Sequence, residues 1–386
     1  MKKIKVLFIS HSDPGKGGAP KSLMELIFNL KNSFDVYPIV CVHSKDAVYE
    51  FCRNNGIECY VTKHQDIWTG GVKSINSWLT IPSYRRKLLL SDRKALELLS
   101  KKININSIDI IHSNVSVVGL GMYINKITGI PHIMHLREDA DVLNKMVYAV
   151  NPIRNMNKYV DKFIAISHFV KDKWEDKGLN SKKIDLVYNG LQLPSKKERI
   201  ILNKKKIKIV VIGTIVRSKG QLLVVNAINK LEKHYRDRIS LDIIGTGNKR
   251  YINKINKTIK KYNLNNIHLL GYQKNINAKL KDYDIGIMAS SGEAFGRVTV
   301  EYMANGLVVI ANNTGADPEI VSDDQTGLLF DKNNAKSLAQ KIKYLIDNPQ
   351  RANLLSNSGQ KMVYDKFTTN INAQNIYNEY VRLLNK

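Results

Sequence analysis

At 386 residues, with 43% hydrophobic and 24% charged side chains, the chain carries enough apolar surface for two cores and does not read as disordered. No apolar run approaches the roughly 20 residues that span a bilayer, and Cys41, Cys52 and Cys59, without a C-x-x-C pair, point to neither a disulfide framework nor a thiolate metal site. The formal net charge of +26 exceeds what solubility needs: it marks either a polyanionic partner (nucleic acid, anionic lipid or an acidic polymer) or a lysine-rich base composition.

The amino terminus, MKKIKVLFIS, has two lysines before an apolar stretch too short for a signal-peptide core, so it reads as a first buried strand in a protein kept in the cytoplasm. The loop His11 to Pro20, with Gly17 and Gly18, follows it. Leu23, Leu26, Ile27 and Leu30 then fall at i, i+3, i+4 and i+7 of a helix. Further strands are expected at Val36 to Val42, Ile57 to Val61, Ile108 to His112, Ile133 to His135 and Phe163 to Ile166. Short Ile/Val runs alternating with helical patterns are the signature of β-α units building a parallel sheet.

Tyr188-Asn189-Gly190, Pro194 and the charged run Lys196 to Lys208 mark a composition shift typical of a linker. A second series follows, with strands at Ile207 to Ile212, Leu241 to Ile244, Ile267 to Leu270, Ile285 to Met288, Leu307 to Ala311 and Leu328 to Phe330. Its first helix shows Val224, Ala227, Ile228 and Leu231 at helical spacing. The expected organisation is an α/β domain over 1–190, a basic linker over 191–206, a second α/β domain over 207–365, and a C-terminal helix over 366–386 packing back toward the first domain. Two open α/β sheets bring the carboxyl ends of their strands, where ligands bind, to a shared cleft.

Asp284 to Gly306 (DIGIMASSGEAFGRVTVEYMANG) is the most informative stretch. A strand runs into a small-residue loop and then a helix from about Arg297 to Gly306, and the amides of a helix start favour a phosphate ligand. Gly296 lets a substrate approach the backbone. On one continuous helix Glu293 and Glu301 would point roughly 80° apart at about 12 Å, so they read better as a loop acid and a helix acid touching two parts of one extended ligand.

Here the chain resembles the retaining family 4 glycosyltransferases with the GT-B fold. E-A-F-G-R-V-T-V-E matches their E-x7-E element; Gly17-Gly18-Ala19, Ser167 in I-A-I-S, V-Y-N-G, Lys219-Gly220 and Gly315 to Gly327 match in order along nearly the whole chain. The resemblance implies a GT-B protein of two Rossmann-like domains facing each other across a cleft, and a hexosyl transfer from a UDP- or GDP-sugar. It also implies a front-face mechanism with retention, in which the leaving phosphate helps deprotonate the acceptor hydroxyl.

In that reading Glu301 binds the donor ribose and Glu293 holds a hydroxyl of the transferred sugar. Phe295 and Gly296 offer backbone N–H groups to the sugar, and Thr299 with Val300 caps the diphosphate. Lys219 and Arg217 neutralise the leaving group; the family's arginine directly after the strand glycine is Thr214 here, and Arg217 is taken to substitute. Gly17 and Gly18 bring amides to the diphosphate, and His135 corresponds to a histidine facing the reacting sugar and acceptor. His112, Asn114, Arg137 and Glu138 are either acceptor-side or structural.

Asp282-Tyr283-Asp284 and Asp139-Ala140-Asp141 imitate a D-x-D metal motif, but Asp282 and Asp284 precede a strand and read as solvated turn residues; no metal and no cofactor are expected. Ser77 to Leu90 reads as an interfacial helix for an anionic membrane or as a core helix, with Pro82 weakening both. The expected partners are the donor and a glycan acceptor, lipid-linked or polyanionic, with peripheral contact at the cytoplasmic face of a membrane. The alternatives are a sugar-nucleotide epimerase or phosphorylase on the same fold, or a basic nucleic-acid-binding protein, which lacks the aromatic-and-basic motifs of such modules.

Overall fold

The structure is a computed structural model that describes residues 3–11, 17–72, 81–141, 143, 146–148, 151–196 and 205–385. The chain divides into two compact units, residues 1–190 with 369–386, and residues 191–368.

Unit 1 is built on seven parallel strands: β1 (Ile4–Ile9), β2 (Val36–Val42), β3 (Glu58–Val61), β5 (Ile110–Ser113), β6 (His132–Leu136), β8 (Lys162–Ala165) and β9 (Ile184–Leu186), in the order β3-β2-β1-β5-β6-β8-β9. A strand covered on both faces should be apolar throughout. Accordingly Val6, Leu7, Phe8 and Ile9 of β1 are all 0% exposed. Leu23, Leu26, Ile27 and Leu30 of helix α1 (Gly18–Ser33) pack on one face, joined by α2 (Ala47–Asn54). Ala95 and Leu99 of α3 (Ile81–Ser100) with Leu120 and Ile124 of α4 (Leu120–Thr128) cover the other. Helices α5 (Pro152–Tyr159) and α6 (His168–Asp176) complete the crossovers, and β4 (Trp68–Val72) pairs with β7 (Met146–Tyr148) as a separate antiparallel ribbon.

Unit 2 carries six parallel strands, β10 (Ile207–Ile212), β11 (Ile239–Ile244), β12 (Ile267–Gly271), β13 (Ile285–Met288), β14 (Val308–Asn312) and β15 (Leu328–Phe330), in the order β12-β11-β10-β13-β14-β15. Its helices are α7 (Gln221–Lys230), α8 (Lys233–Arg236), α9 (Lys249–Lys261), α10 (Ile276–Lys279), α11 (Arg297–Ala304), α12 (Asp317–Ile320), α13 (Ala335–Asp347) and α14 (Pro349–Lys366). The last helix, α15 (Thr369–Leu384), belongs to unit 1, where Ala373, Ile376 and Tyr380 join the α1 core.

In both sheets the strand order reverses once, between β1 and β5 and between β10 and β13. At such a switch point the two flanking loops diverge to opposite faces and leave a crevice at the carboxyl ends of the strands. The loops after β10 and β13 carry Lys219 and Glu293.

Two expectations are corrected. Asp284 is buried rather than solvated, because its carboxylate accepts the Lys208 N–H at 2.8 Å and closes the start of β10; Asp282 is exposed. Pro82 does not weaken a helix: it lies in the first turn of α3, where a missing N–H costs nothing. The reading over Ser77 to Leu90 falls partly, at 77–80, outside the described residues. Strand β9 and the β4–β7 ribbon were not anticipated. No helix among the described residues is long and apolar enough to cross a membrane.

Candidate active site

The switch point of unit 2 is assembled by backbone constraints. After β10 the chain makes a short 3-10 turn, Arg217–Lys219, and Gly220 adopts φ +71°. A side chain at 220 would put its Cβ 2.1 Å from the Ala289 carbonyl oxygen, so the turn is pressed on the end of β13. The Ser291 N–H donates to the Ser218 carbonyl at 2.8 Å. Lys219 is thereby delivered to Glu293, and its Nζ donates to Glu293 Oε1.

Glu293 lies in the β13–α11 loop and is braced from the other side. Gly315, at φ +65°, packs so closely that a Cβ there would sit 2.5 Å from the Glu293 nitrogen, and the Ala316 N–H donates to the Glu293 carbonyl at 2.9 Å. The side chains of Lys219 and Glu293 are 35% and 17% exposed, within reach of solvent and ligand.

Helix α11 starts at Arg297 after a Gly296 N-cap. Its orientation is set by Tyr302, fully buried, which fills the space over Gly286 and accepts the Ile212 N–H at 2.8 Å. The Val300 N–H donates to the Gly296 carbonyl at 3.2 Å. Val300 is thus already inside the helix ladder, which corrects its expected role as a capping amide; the amides that precede the ladder are those of residues such as Val298 and Thr299. The Thr299 side chain is also committed, since Oγ1 donates to Asp317 Oδ1 at 2.9 Å. Glu301 lies in the helix and pairs with Arg297 at 3.4 Å. Phe295 is buried and stacks edge-on with Phe367, centroids 5.6 Å apart.

Asp317 was missed. It is fully buried beneath Gly296 and Thr299; burial, and secondarily the charge of Glu293, holds its carboxyl well above the usual range, against the opposing Thr299 bond and Lys219 charge. Its position in G-A-D-P-E, as the first residue of the short helix α12 that abuts α11, was the available signal.

Arg217 is exposed and not brought to Glu293. It lines a cavity of about 690 Å³ with Ser218, Asn248, Arg250, Lys254 and Asn333.

In unit 1, Gly17 is the N-cap of α1 and Gly18 its first residue, while residues 12–16 of that loop lie outside the described residues. The carboxyl ends of β5 and β6 carry the other candidates. The Arg137 Nε donates to Asn114 Oδ1 at 2.9 Å, and its Nη1 to Asn189 Oδ1. The Glu138 carboxylate accepts the Ser116 N–H at 3.0 Å and the Ser116 hydroxyl, which is a structural assignment for that acid. His112 and His135 are both 0% exposed and bonded to each other. Burial, reinforced by the Arg137 charge, keeps both imidazoles neutral, well below the ordinary range. The His135 ring is therefore fully enclosed and not open to solvent. Among the described residues no group of three or more His, Cys, Asp or Glu is gathered to hold a metal ion.

Two family profiles match the chain: Glycosyltransferase Family 4 over residues 16–193 and Glycosyl transferases group 1 over residues 194–362. An uncharacterized glycosyltransferase of Methanocaldococcus jannaschii is 29% identical over 264 residues, 67% of this chain and 71% of that one. The poly(ribitol-phosphate) alpha-N-acetylglucosaminyltransferase of Staphylococcus aureus is 23% identical over 256 residues, 65% of this chain and 46% of that enzyme. Among solved structures, Anabaena HepE in complex with UDP matches with a TM-score of 0.77 at 17% identity, covering 98% of this chain and 100% of that one.

Proposed function

For a chain that belongs to glycosyltransferase family 4 and is a glycosyltransferase of the GT-B fold, we propose a retaining, metal-independent hexosyl transfer from a nucleotide-sugar, UDP-linked in preference to GDP-linked, to a hydroxyl of a cell-surface glycan. The observation that carries this is the Lys219–Glu293 pair at the switch point of unit 2, beside the start of α11. The preference for UDP draws on the UDP bound in HepE.

Each residue has a part. Lys219 leaves Glu293 for the diphosphate and neutralises charge as the sugar–phosphate bond breaks, a contribution of several kcal/mol to such transition states. The helix-start amides at Val298 and Thr299 share that charge. Glu293, released, accepts a hydroxyl of the transferred sugar, and the Phe295 and Gly296 backbone orients the same sugar. Glu301 accepts the ribose hydroxyls. Arg217 serves the nucleotide only if its cavity is part of the site. The leaving phosphate takes the acceptor proton, so no protein nucleophile is required.

The acceptor is lipid-linked or polyanionic. A cavity of about 780 Å³ along α3 is lined by Lys63, Arg86, Lys87 and Lys94 with Leu90 and Leu98, a basic rim on an apolar floor that suits peripheral contact with an anionic membrane or polymer. The polyol-phosphate named for the Staphylococcus aureus relative is an acceptor of that kind.

The test is turnover of a panel of UDP- and GDP-sugars with the products' anomeric configuration read by NMR, in chelator. Transfer with retention, reduced about 100-fold or more by Glu293→Gln, is expected. Inverted product, or full activity in that variant, would overturn the reading.

A further inference from the structure

Within unit 1 a hydrogen-bonded chain of three rings runs from α15 to the end of β6. Tyr380 Oη lies 2.6 Å from His112 Nδ1, and His112 Nε2 lies 2.6 Å from His135 Nδ1. The rings are in contact: His112 and His135 stack at 4.8 Å with 27° between planes, Phe8 stacks on His112 at 5.0 Å, and Tyr380 meets His112 edge-on at 88°. All three polar rings are fully enclosed. The far nitrogen, His135 Nε2, is buried and has no hydrogen-bond partner among the described residues.

Proton placement along this chain is constrained. Burial keeps the phenol protonated and both imidazoles neutral, so each ring has one proton to place. If Tyr380 donates to His112 Nδ1, the His112 proton must sit on Nε2, where it donates to His135 Nδ1. The His135 proton is then on Nε2. In the reverse arrangement both imidazoles donate toward the tyrosine, and a buried phenol O–H is left with no acceptor in the chain, which carries a desolvation penalty. The first arrangement satisfies every proton except the one on His135 Nε2.

We propose that Tyr380 is a positioning residue: acting through His112, it fixes the His135 tautomer so that Nε2 presents an N–H to an acceptor oxygen of the bound substrate, a sugar hydroxyl or phosphoryl oxygen. His135 then serves as a hydrogen-bond donor and not as a general base. The inference rests on the reading that His135 meets the substrate, and it agrees with a mechanism in which the leaving phosphate removes the acceptor proton. Its origin in α15 also gives the helix that follows unit 2 a role in the chemistry: the ring at 380 reaches across the α1 face of the sheet to a residue 268 positions earlier.

The experiment is a long-range proton–nitrogen correlation spectrum of the full chain labelled with 15N-histidine, with His135→Gln used to assign the signal. The wild type is expected to show both His112 and His135 protonated at Nε2. Tyr380→Phe, which removes one oxygen, is expected to replace the single His135 tautomer by a mixture and to lower kcat about tenfold with little change in donor KM, as loss of one hydrogen bond on the reacting sugar would do. A wild-type His135 protonated at Nδ1, or tautomers unchanged in Tyr380→Phe, would overturn the proposal. The wild-type spectrum needs neither a variant nor turnover. A chain that transfers no sugar would therefore count against the proposed function alone, and the tautomer would still be read.

Discussion

Lys219 and Glu293 come from different βα loops and meet because strand order reverses between β10 and β13. With the Lys219 side chain 35% exposed, the net attraction after desolvation, entropy and screening is on the order of 1 kcal/mol. That holds both side chains in place until a diphosphate offers the lysine a stronger partner. Residues that act as one unit should not contribute additively. Lys219→Ala and Glu293→Gln are each expected to lower kcat/KM about 100-fold, and the double variant to lose little more than the worse single one. Steady-state kinetics of the four proteins check this; a double variant showing the product of the two losses would mean that the groups act separately.

A second residue-scale consequence concerns Asp92, buried on α3, with burial pushing its carboxyl up to about 8. Its folded pKa lies above the unfolded value of about 3.9, so the folded state keeps a proton that the unfolded state releases. The stability from this group is full below about pH 4 and is lost progressively as pH rises to 8. Asp92→Asn has no proton to lose. Its thermal midpoint minus that of the wild type should therefore grow between pH 5 and pH 8; a difference that stays constant contradicts the assignment.

At the scale of elements, the loops depend on glycine in two distinguishable ways. Gly220 and Gly129 both adopt left-handed backbone, at φ +71° and +75°. A Cβ at 129 meets nothing within 4 Å, whereas at 220 it meets the Ala289 carbonyl at 2.1 Å. Gly129→Ala should cost only the left-handed penalty of about 1–2 kcal/mol. Gly220→Ala adds a backbone displacement that moves Lys219 from Glu293, so it should lower the urea midpoint further and also reduce turnover. Equal midpoints would show that the 217–220 turn yields without consequence.

Elements were legible where burial was two-sided or periodic. The runs at β1, β10 and β13 and the face Leu23, Leu26, Ile27, Leu30 declared themselves because parallel strands and one helix stripe must be apolar. Strand β9 did not, being three residues with Asp185 at its centre. Helix α3 blurred its own period, because Leu89, Leu90 and Leu98 are 48–49% exposed on the flanks and back of the buried stripe of Leu88, Ala95 and Leu99. At the candidate site Glu293, Glu301 and Lys219 were readable from motif spacing. The Tyr380–His112 bond and the burial of Asp317 were not, since they arise from contacts between segments far apart in the chain that leave no local pattern.

The whole molecule carries a net charge of +26, and part of it lines the groove along α3. If that field recruits an anionic acceptor surface, binding to phosphatidylglycerol vesicles should be tight at low ionic strength. It should fall steeply as salt shortens the Debye length from about 30 Å to about 8 Å. Changing Arg86, Lys87 and Lys94 to Ala should weaken it more than changing three lysines of α9. Binding that ignores salt, or equal effects of the two sets, would assign the charge to composition alone.

The central claim is that the start of α11, with Lys219 and the two acids, holds the donor. A crystal structure of the chain with UDP-sugar tests it most directly. The account predicts diphosphate oxygens within hydrogen-bond distance of Lys219 Nζ and of the amides at Val298 and Thr299, with the ribose on Glu301. A nucleotide seated away from these groups would contradict it.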